Sequence, residues 1–369
     1  PGFVAFGAAD VQPALGGDDA ALIRLEGFTA EAVRAGGERR ASLAGGLAEI
    51  LSSDASYAAK QFACRRLILA GSEEQVAALA PLLRDEALCH AALLALSAIG
   101  GEASRQAMLD AWPQAPRNAR LGIAAAIGEA GETEAIPLLS RLLTSPDEEV
   151  ALTCAAALAR MPAGAGADVL LKAFRDSAGT RPATFRAALA DRCLEAAGSR
   201  APAGPGGTSA ALFGEIEAGA PTPAVRAAAL GRLLRSATPE AAVDRALTAL
   251  SDPEPEVRRV AARALREIGG REVTERIAGA LAGAPASRAP GILAILAHRA
   301  DPAAEAAVLP LCGDPDARVS SAALAALGSV GGASTVPVLT RYAAAEDKAV
   351  ASAAYESLCA LRAPGADDA

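Results

Sequence analysis

Two histidines, His90 and His298, are the only imidazoles in the chain, and imidazole is the side chain that most often serves as general base or metal ligand near neutral pH. They lie more than two hundred residues apart, in segments with helical periodicity. A metal site needs three or four converging ligands, and a serine nucleophile needs a base beside it. Neither arrangement can be assembled from two distant histidines. Six cysteines, at 64, 89, 154, 193, 312 and 359, show no Cys-x-x-Cys spacing and recur with the helical apolar pattern. Cysteine in such places acts as a small buried hydrophobe, although an even count in an exported chain also permits disulfides, with Cys64 and Cys89 the nearest pair. Carboxylate pairs such as Glu148 with Glu149, or Glu254 with Glu256, precede helical stretches, where the helix dipole already accounts for them. No glycine-rich phosphate loop follows a strand pattern and no Gly-Lys-Ser/Thr run occurs. The chain is therefore expected to have no catalytic residues, no cofactor and no metal, and not to be an enzyme.

The elements that would carry these residues are helices. Hydrophobic residues make up 52% of the 369 while aromatics make up only 3%, and the excess is alanine and leucine, a composition that favours helix over strand. A stripe of small or apolar residues at four-residue steps ends repeatedly in a residue that stops a helix. One copy runs Leu88, Ala92, Leu96, Gly100, and the next Ala119, Ile123, Ile127, Gly131. Others are Val150 to Pro162, Val257 to Gly269 and Val319 to Gly331, with less regular copies beginning at Ala59, Arg186, Val225, Arg288 and Val350. Most of these ten starts are 29–32 residues apart, a period that marks stacked helical repeats. Pro146-Asp147, Asp252-Pro253 and Asp314-Pro315 precede stripes and mark the turns between repeats, since aspartate caps free N–H groups and proline fits a first helical turn. Behind each closing residue a second amphipathic stretch begins, as in Ile136-Pro137-Leu138-Leu139 and Val336-Pro337-Val338-Leu339.

A proline-initiated second helix and a first helix opening Asp-then-Val-Arg are the pattern of HEAT repeats, and the run from Asp252 to Val257-Arg258 matches it best. The chain resembles that family over roughly residues 55–362, and Lys60 to Leu67 is similar to the opening repeat of certain exported bacterial HEAT proteins. The resemblance implies an all-α fold, a right-handed α-solenoid of about ten two-helix repeats with second helices lining a concave face. In iron-binding HEAT enzymes such as deoxyhypusine hydroxylase the ligands come from His-Glu pairs. Here the neighbours of the two histidines are Cys89 and Arg299.

Organisation follows from the period. Residues 1–17 read as an irregular segment, 18–52 as two capping helices at Asp18 to Leu25 and Thr29 to Leu51, 53–198 as a first lobe, 209–362 as a second lobe and 363–369 as a tail. Between the lobes, Pro202, Gly204, Pro205, Gly206 and Gly207 make 199–208 a loop or hinge.

The surface this leaves is expected to bind protein. Net charge is −8, which disfavours nucleic acid. The cations are nearly all arginine, with lysine only at 60, 172 and 348. High genomic GC content explains that bias, and bidentate carboxylate pairing between layers is the alternative. Polar positions on the second helices, Arg105, Gln106, Arg141, Arg175, Arg245, Arg276 and Arg341, recur near the repeat spacing and read either as a basic ladder for a partner or as ordinary solvated helix face. Trp112, the single tryptophan, reads either as gap filler or as a binding anchor. The expected function is a non-catalytic scaffold, within or outside a multi-subunit complex. The alternatives are a HEAT-like chromophore lyase or chaperone, which would need a pocket with clustered acid/base residues, an accessory subunit, and a DNA-glycosylase type of HEAT fold, which would need a basic concave face. No run of 18 apolar residues free of charge occurs, so no membrane insertion is expected. The start at Pro1 without methionine points toward an exported, periplasmic or extracellular product, with a cytoplasmic one as the other reading.

Overall fold

The computed structural model describes residues 19–131, 133–199 and 208–361. The segments expected as an N-terminal irregular region, as a loop at 199–208 and as a tail fall almost wholly outside the described residues. Among the described residues there is no strand, and no helix is long and apolar enough to cross a membrane. The chain divides into two compact units, 1–173 and 174–369.

In the first unit, α1 (Asp19–Ala35) and α2 (Gly37–Ser52) form a hairpin. The first helices that follow are α3 (Tyr57–Ala70), α5 (Cys89–Ile99), α7 (Arg117–Ala130) and α9 (Glu148–Ala159). Between them come the second helices α4 (Val76–Leu79, extended by 3-10 turns at Glu73–Gln75 and Ala80–Arg84), α6 (Gly101–Ala111) and α8 (Ile136–Leu142), and then α10 (Ala167–Asp176), whose last three residues belong to the second unit. Each first helix packs on the next first helix, and α2, α4 and α6 make a parallel second row. The pair α1/α2 is thus a full layer, with α1 against α3 and α2 against α4. It also breaks elsewhere than expected. Gly27 is absorbed into α1, and the turn falls at Gly36 and Gly37, both at positive φ (66° and 50°), where a side chain would be strained.

The second unit repeats the plan with first helices α11 (Ala183–Ser199), α13 (Pro223–Ser236), α15 (Pro255–Glu267), α17 (Ala289–Arg299), α19 (Ala317–Val330) and α21 (Lys348–Ala360). Its second helices are α12 (Thr208–Ala218), α14 (Pro239–Ala249), α16 (Arg271–Gly279), α18 (Glu305–Val308, between 3-10 turns) and α20 (Val336–Ala343). All ten stripe segments read from the sequence are helices, and their steps are core: Leu96, Ile123, Leu158, Leu265 and Leu327 are buried. At about 25 cal/mol per Å² of apolar area removed from water, this row of leucine and isoleucine drives the stacking. Neighbouring layers supply the cover, as a solenoid requires.

The aspartates of the turns accept amide hydrogen bonds as expected, while Pro146, Pro253 and Pro315 lie before the helices and not in their first turns. Asp147 caps α9 through the amides of Glu149 and Val150, Asp347 caps α21 through those of Ala349 and Val350, and Asp252 and Asp314 accept from the amides of Glu254 and Asp316. The closing glycines serve two different ends. Gly100 and Gly131 have positive φ (67° and 70°), and Gly131 is the left-handed cap of α7. Gly331 is extended, and there a Cβ would come within 2.5 Å of the Leu327 carbonyl oxygen, so space and not backbone angle selects glycine.

Arginine also ties successive layers together, as the pairing alternative anticipates. Arg117, at the start of α7, holds Asp147 at 2.5 Å and Glu149 at 2.5 Å at the start of α9, and Arg226 of α13 holds Asp252 at 2.6 Å before α15. Each guanidinium therefore grips the carboxylate that starts the following layer. The Asp147 carboxyl sits below the usual range, chiefly because it accepts hydrogen bonds from Arg117.

Candidate functional site

A solenoid's second helices offer the face on which successive layers present small and polar side chains side by side. In the first unit, α4 with its flanking turns and α6 leave an open groove of about 530 Å³ between them. Alanine makes its floor: Ala77, Ala80, Ala103 and Ala107 line it together with Val76 and Pro81. Glu73 and Arg84 from one side and Gln106 and Asp110 from the other make a polar rim, with Gln106 Nε2 donating to Asp110 Oδ1 at 2.8 Å. The floor is shallow because α4 is a single turn of α-helix interrupted by 3-10 turns and by Pro81, and because alanine ends at Cβ. A polypeptide segment laid there could bring its own backbone close to both second helices and still find hydrogen-bond partners at the edges.

The second-helix cations singled out from the sequence are only partly available. Arg105 is half-buried and bound to Glu102 of its own helix. Arg175 lies 3.7 Å from Glu215 of α12, Arg245 of α14 holds Glu217 of α12 at 2.6 Å, and Arg276 of α16 grips Asp244 of α14 at 2.6 and 2.5 Å. The run in the second unit is thus an interlayer chain of ion pairs and not a free basic ladder. Each cation is met by an acid from a neighbouring second helix. The Asp244 carboxyl is lowered, first by its hydrogen bonds from Arg276. Glu217 is only 6% exposed, so Arg245 also meets the charge of a nearly buried carboxylate, which is costly to leave alone. The exposed pairs contribute little individually.

Arg141, at the end of α8, is exposed and makes no ion pair among the described residues, and Arg341 of α20 lies over the Tyr342 ring at 5.6 Å. Trp112 is 6% exposed at the end of α6, so it fills the gap between layers and has no free face to anchor a partner. His90 and His298 are both exposed, in α5 and α17, and belong to different units. Among the described residues no group of three or more His, Cys, Asp or Glu is placed to hold a metal ion.

All six cysteines are free thiols, including Cys64 and Cys89, and all but Cys359 are buried. Burial pushes the Cys64, Cys154 and Cys193 thiols up to about 12 and Cys312 to about 11. At neutral pH they are protonated and act as small apolar packing groups. What sequence reading missed was the alanine floor. Its signal is alanine at outward positions of successive second helices, easily overlooked when only polar residues are sought.

The family model for HEAT repeats matches residues 113–190, 214–294 and 291–359. No curated protein matches the chain. Among solved structures, human deoxyhypusine hydroxylase in complex with glycerol is similar at 19% identity over 78% of this chain and 96% of that one, with a TM-score of 0.30. The karyopherin Kap121p bound to the SUMO protease Ulp1p is similar at 12% identity over 87% of this chain, with a TM-score of 0.48. Kap121p bound to Ste12p gives 12%, 87% and 0.49. This chain spans about 41% of the karyopherin's length in both. These likenesses tell nothing of what the chain binds.

Proposed function

The chain belongs to the HEAT-repeat family, and on that premise we propose that it is a non-catalytic scaffold that takes a protein partner along its second helices. The observation that carries this reading is the alanine-floored groove between α4 and α6, with a polar rim at Glu73, Arg84, Gln106 and Asp110. Its floor is apolar enough to reward burial of a partner's side chains, and its rim can satisfy a partner's polar groups. Arg141 of α8, exposed and without an ion pair among the described residues, offers a further cation on the second helices of this unit. In the second unit, the interlayer pairs Arg245 with Glu217 and Arg276 with Asp244 hold the second helices in register, and there the role of those arginines is structural.

Filling the groove tests this without touching the core. Ala77→Trp together with Ala107→Trp places two indoles where a partner segment would lie, at positions that are not fully buried. Proteins captured by the wild-type chain from extract of its native source should fall at least tenfold in recovery with the variant, while helical content and thermal midpoint stay unchanged. Equal recovery from a folded variant would refute the groove as the contact face.

A further inference from the structure

A second cleft, about 500 Å³, lies where the ends of α13 and α15 meet the start of α14. Arg232 and Arg235 of α13 and Arg263 of α15 line it, above a floor that includes Ala227, Leu234, Ala242, Val260 and Ile268. All three guanidinium-bearing side chains are exposed, and among the described residues none makes an ion pair or a hydrogen bond. Other arginines of this unit are held. Arg226 and Arg276 hold carboxylates, and Arg299 of α17 donates to the carbonyl oxygens of Leu265, Ile268 and Gly270 and to Thr274 Oγ1. The one acid lining the cleft, Glu267, stands four residues after Arg263 and is not within ion-pair distance of it.

Three uncompensated cations around an apolar floor create a local positive field on a chain whose net charge is −8. The planar guanidinium fork matches a carboxylate in bidentate fashion. The aliphatic floor gives an aliphatic side chain somewhere to go, and no aromatic residue lines the cleft for base stacking. We infer that this cleft binds an acidic peptide segment of a partner protein, two or more carboxylates flanking an aliphatic residue, with Arg232, Arg235 and Arg263 as the carboxylate receptors. The site lies at first-helix ends and the start of α14 in the second unit, and it does not rest on the groove between α4 and α6. Glu267 sets an orientation, because it repels a carboxylate placed beyond Arg263.

The test uses the full chain and a fluorescein-labelled hexapeptide, Asp-Leu-Asp-Glu-Leu-Asp, followed by anisotropy at low salt. An Asn/Gln version of the peptide and a labelled single-stranded oligonucleotide run alongside. Arg232→Gln with Arg263→Gln removes two cleft charges. Arg259→Gln with Arg266→Gln removes two exposed charges from α15 that do not line the cleft. The wild type should bind the acidic peptide at least tenfold tighter than the amide version and tighter than the oligonucleotide. The cleft variant should lose at least tenfold and the off-cleft variant less than twofold. Failure of the wild type to bind, equal losses in the two variants, indifference to the peptide's charge, or preference for the oligonucleotide would each overturn the assignment. Neither variant removes an ion pair or hydrogen bond seen among the described residues, so unchanged helical content and melting are expected for both.

Discussion

Gly128→Leu should destabilise the first unit by roughly 3 kcal/mol, at the upper end of what overpacking a close-fitted core costs. Gly128 is buried near the end of α7, and a Cβ built there would stand 2.5 Å from the Cα of Ala157 in α9. The obstacle is backbone, which no rotamer change removes. To admit any side chain, α7 and α9 must move apart, and the Ile123, Ile127, Cys154 and Leu158 contacts between those layers loosen with them. Because a solenoid layer is stabilised only by its neighbours, the damage should appear as early unfolding of α7 to α9 in hydrogen exchange and as a lowered urea midpoint. Gly214→Ala in α12 is the control, since nothing lies within 4 Å of a Cβ there. That change should be neutral or stabilising by about 0.5–1 kcal/mol through helix propensity alone. If Gly128→Leu leaves the midpoint in place, the helices do not approach as closely as described.

Arg299→Ala should cost roughly 2–3 kcal/mol, the range for losing charge-assisted hydrogen bonds to partly buried acceptors. The guanidinium closes the junction of α15, α16 and α17. Its Nη1 donates to the carbonyl oxygens of Leu265 (2.7 Å) and Ile268, its Nη2 to that of Gly270 (3.1 Å), and its Nε to Thr274 Oγ1 (3.1 Å). These carbonyls belong to the end of α15 and the turn after it, where a helix lacks internal donors and carries partial negative charge. Burial presses the Arg299 pKa down from its ordinary value, yet arginine stays protonated at any physiological pH. Arg299→Lys should recover less than half of the loss, because one ammonium cannot span four acceptors on different segments. A midpoint for the alanine variant within 0.5 kcal/mol of wild type in chemical denaturation would show that these bonds exchange freely with water.

The fold was legible because its determinants are local. Stripes such as Leu88, Ala92, Leu96 and the Asp-Pro turns repeat within one helix, and every first helix they imply is present. Less legible was anything decided between layers. Arg245 and Arg276 look like free cations on their own helices, but their acids, Glu217 and Asp244, lie 28 and 32 residues earlier. Searching for opposite charges at the repeat distance would have found both pairs. The Gly36-Gly37 break was hidden by Gly27, which a helix tolerates at modest cost. Trp112 offered two roles, gap filler ahead of binding anchor, and its burial agrees with the first. The groove over Ala77 and Ala107 was invisible because small residues on an outward face carry no charge or aromatic signal.

The most direct test of the second-helix reading places a photo-crosslinking residue in turn at Gln106 and Arg141, on second helices, and at Leu94 and Tyr355, exposed on first helices. Each chain is then irradiated in extract of the native source. The scaffold proposal predicts discrete protein adducts from Gln106 and Arg141, with Leu94 and Tyr355 giving none above background. Adducts confined to the first-helix positions would contradict it.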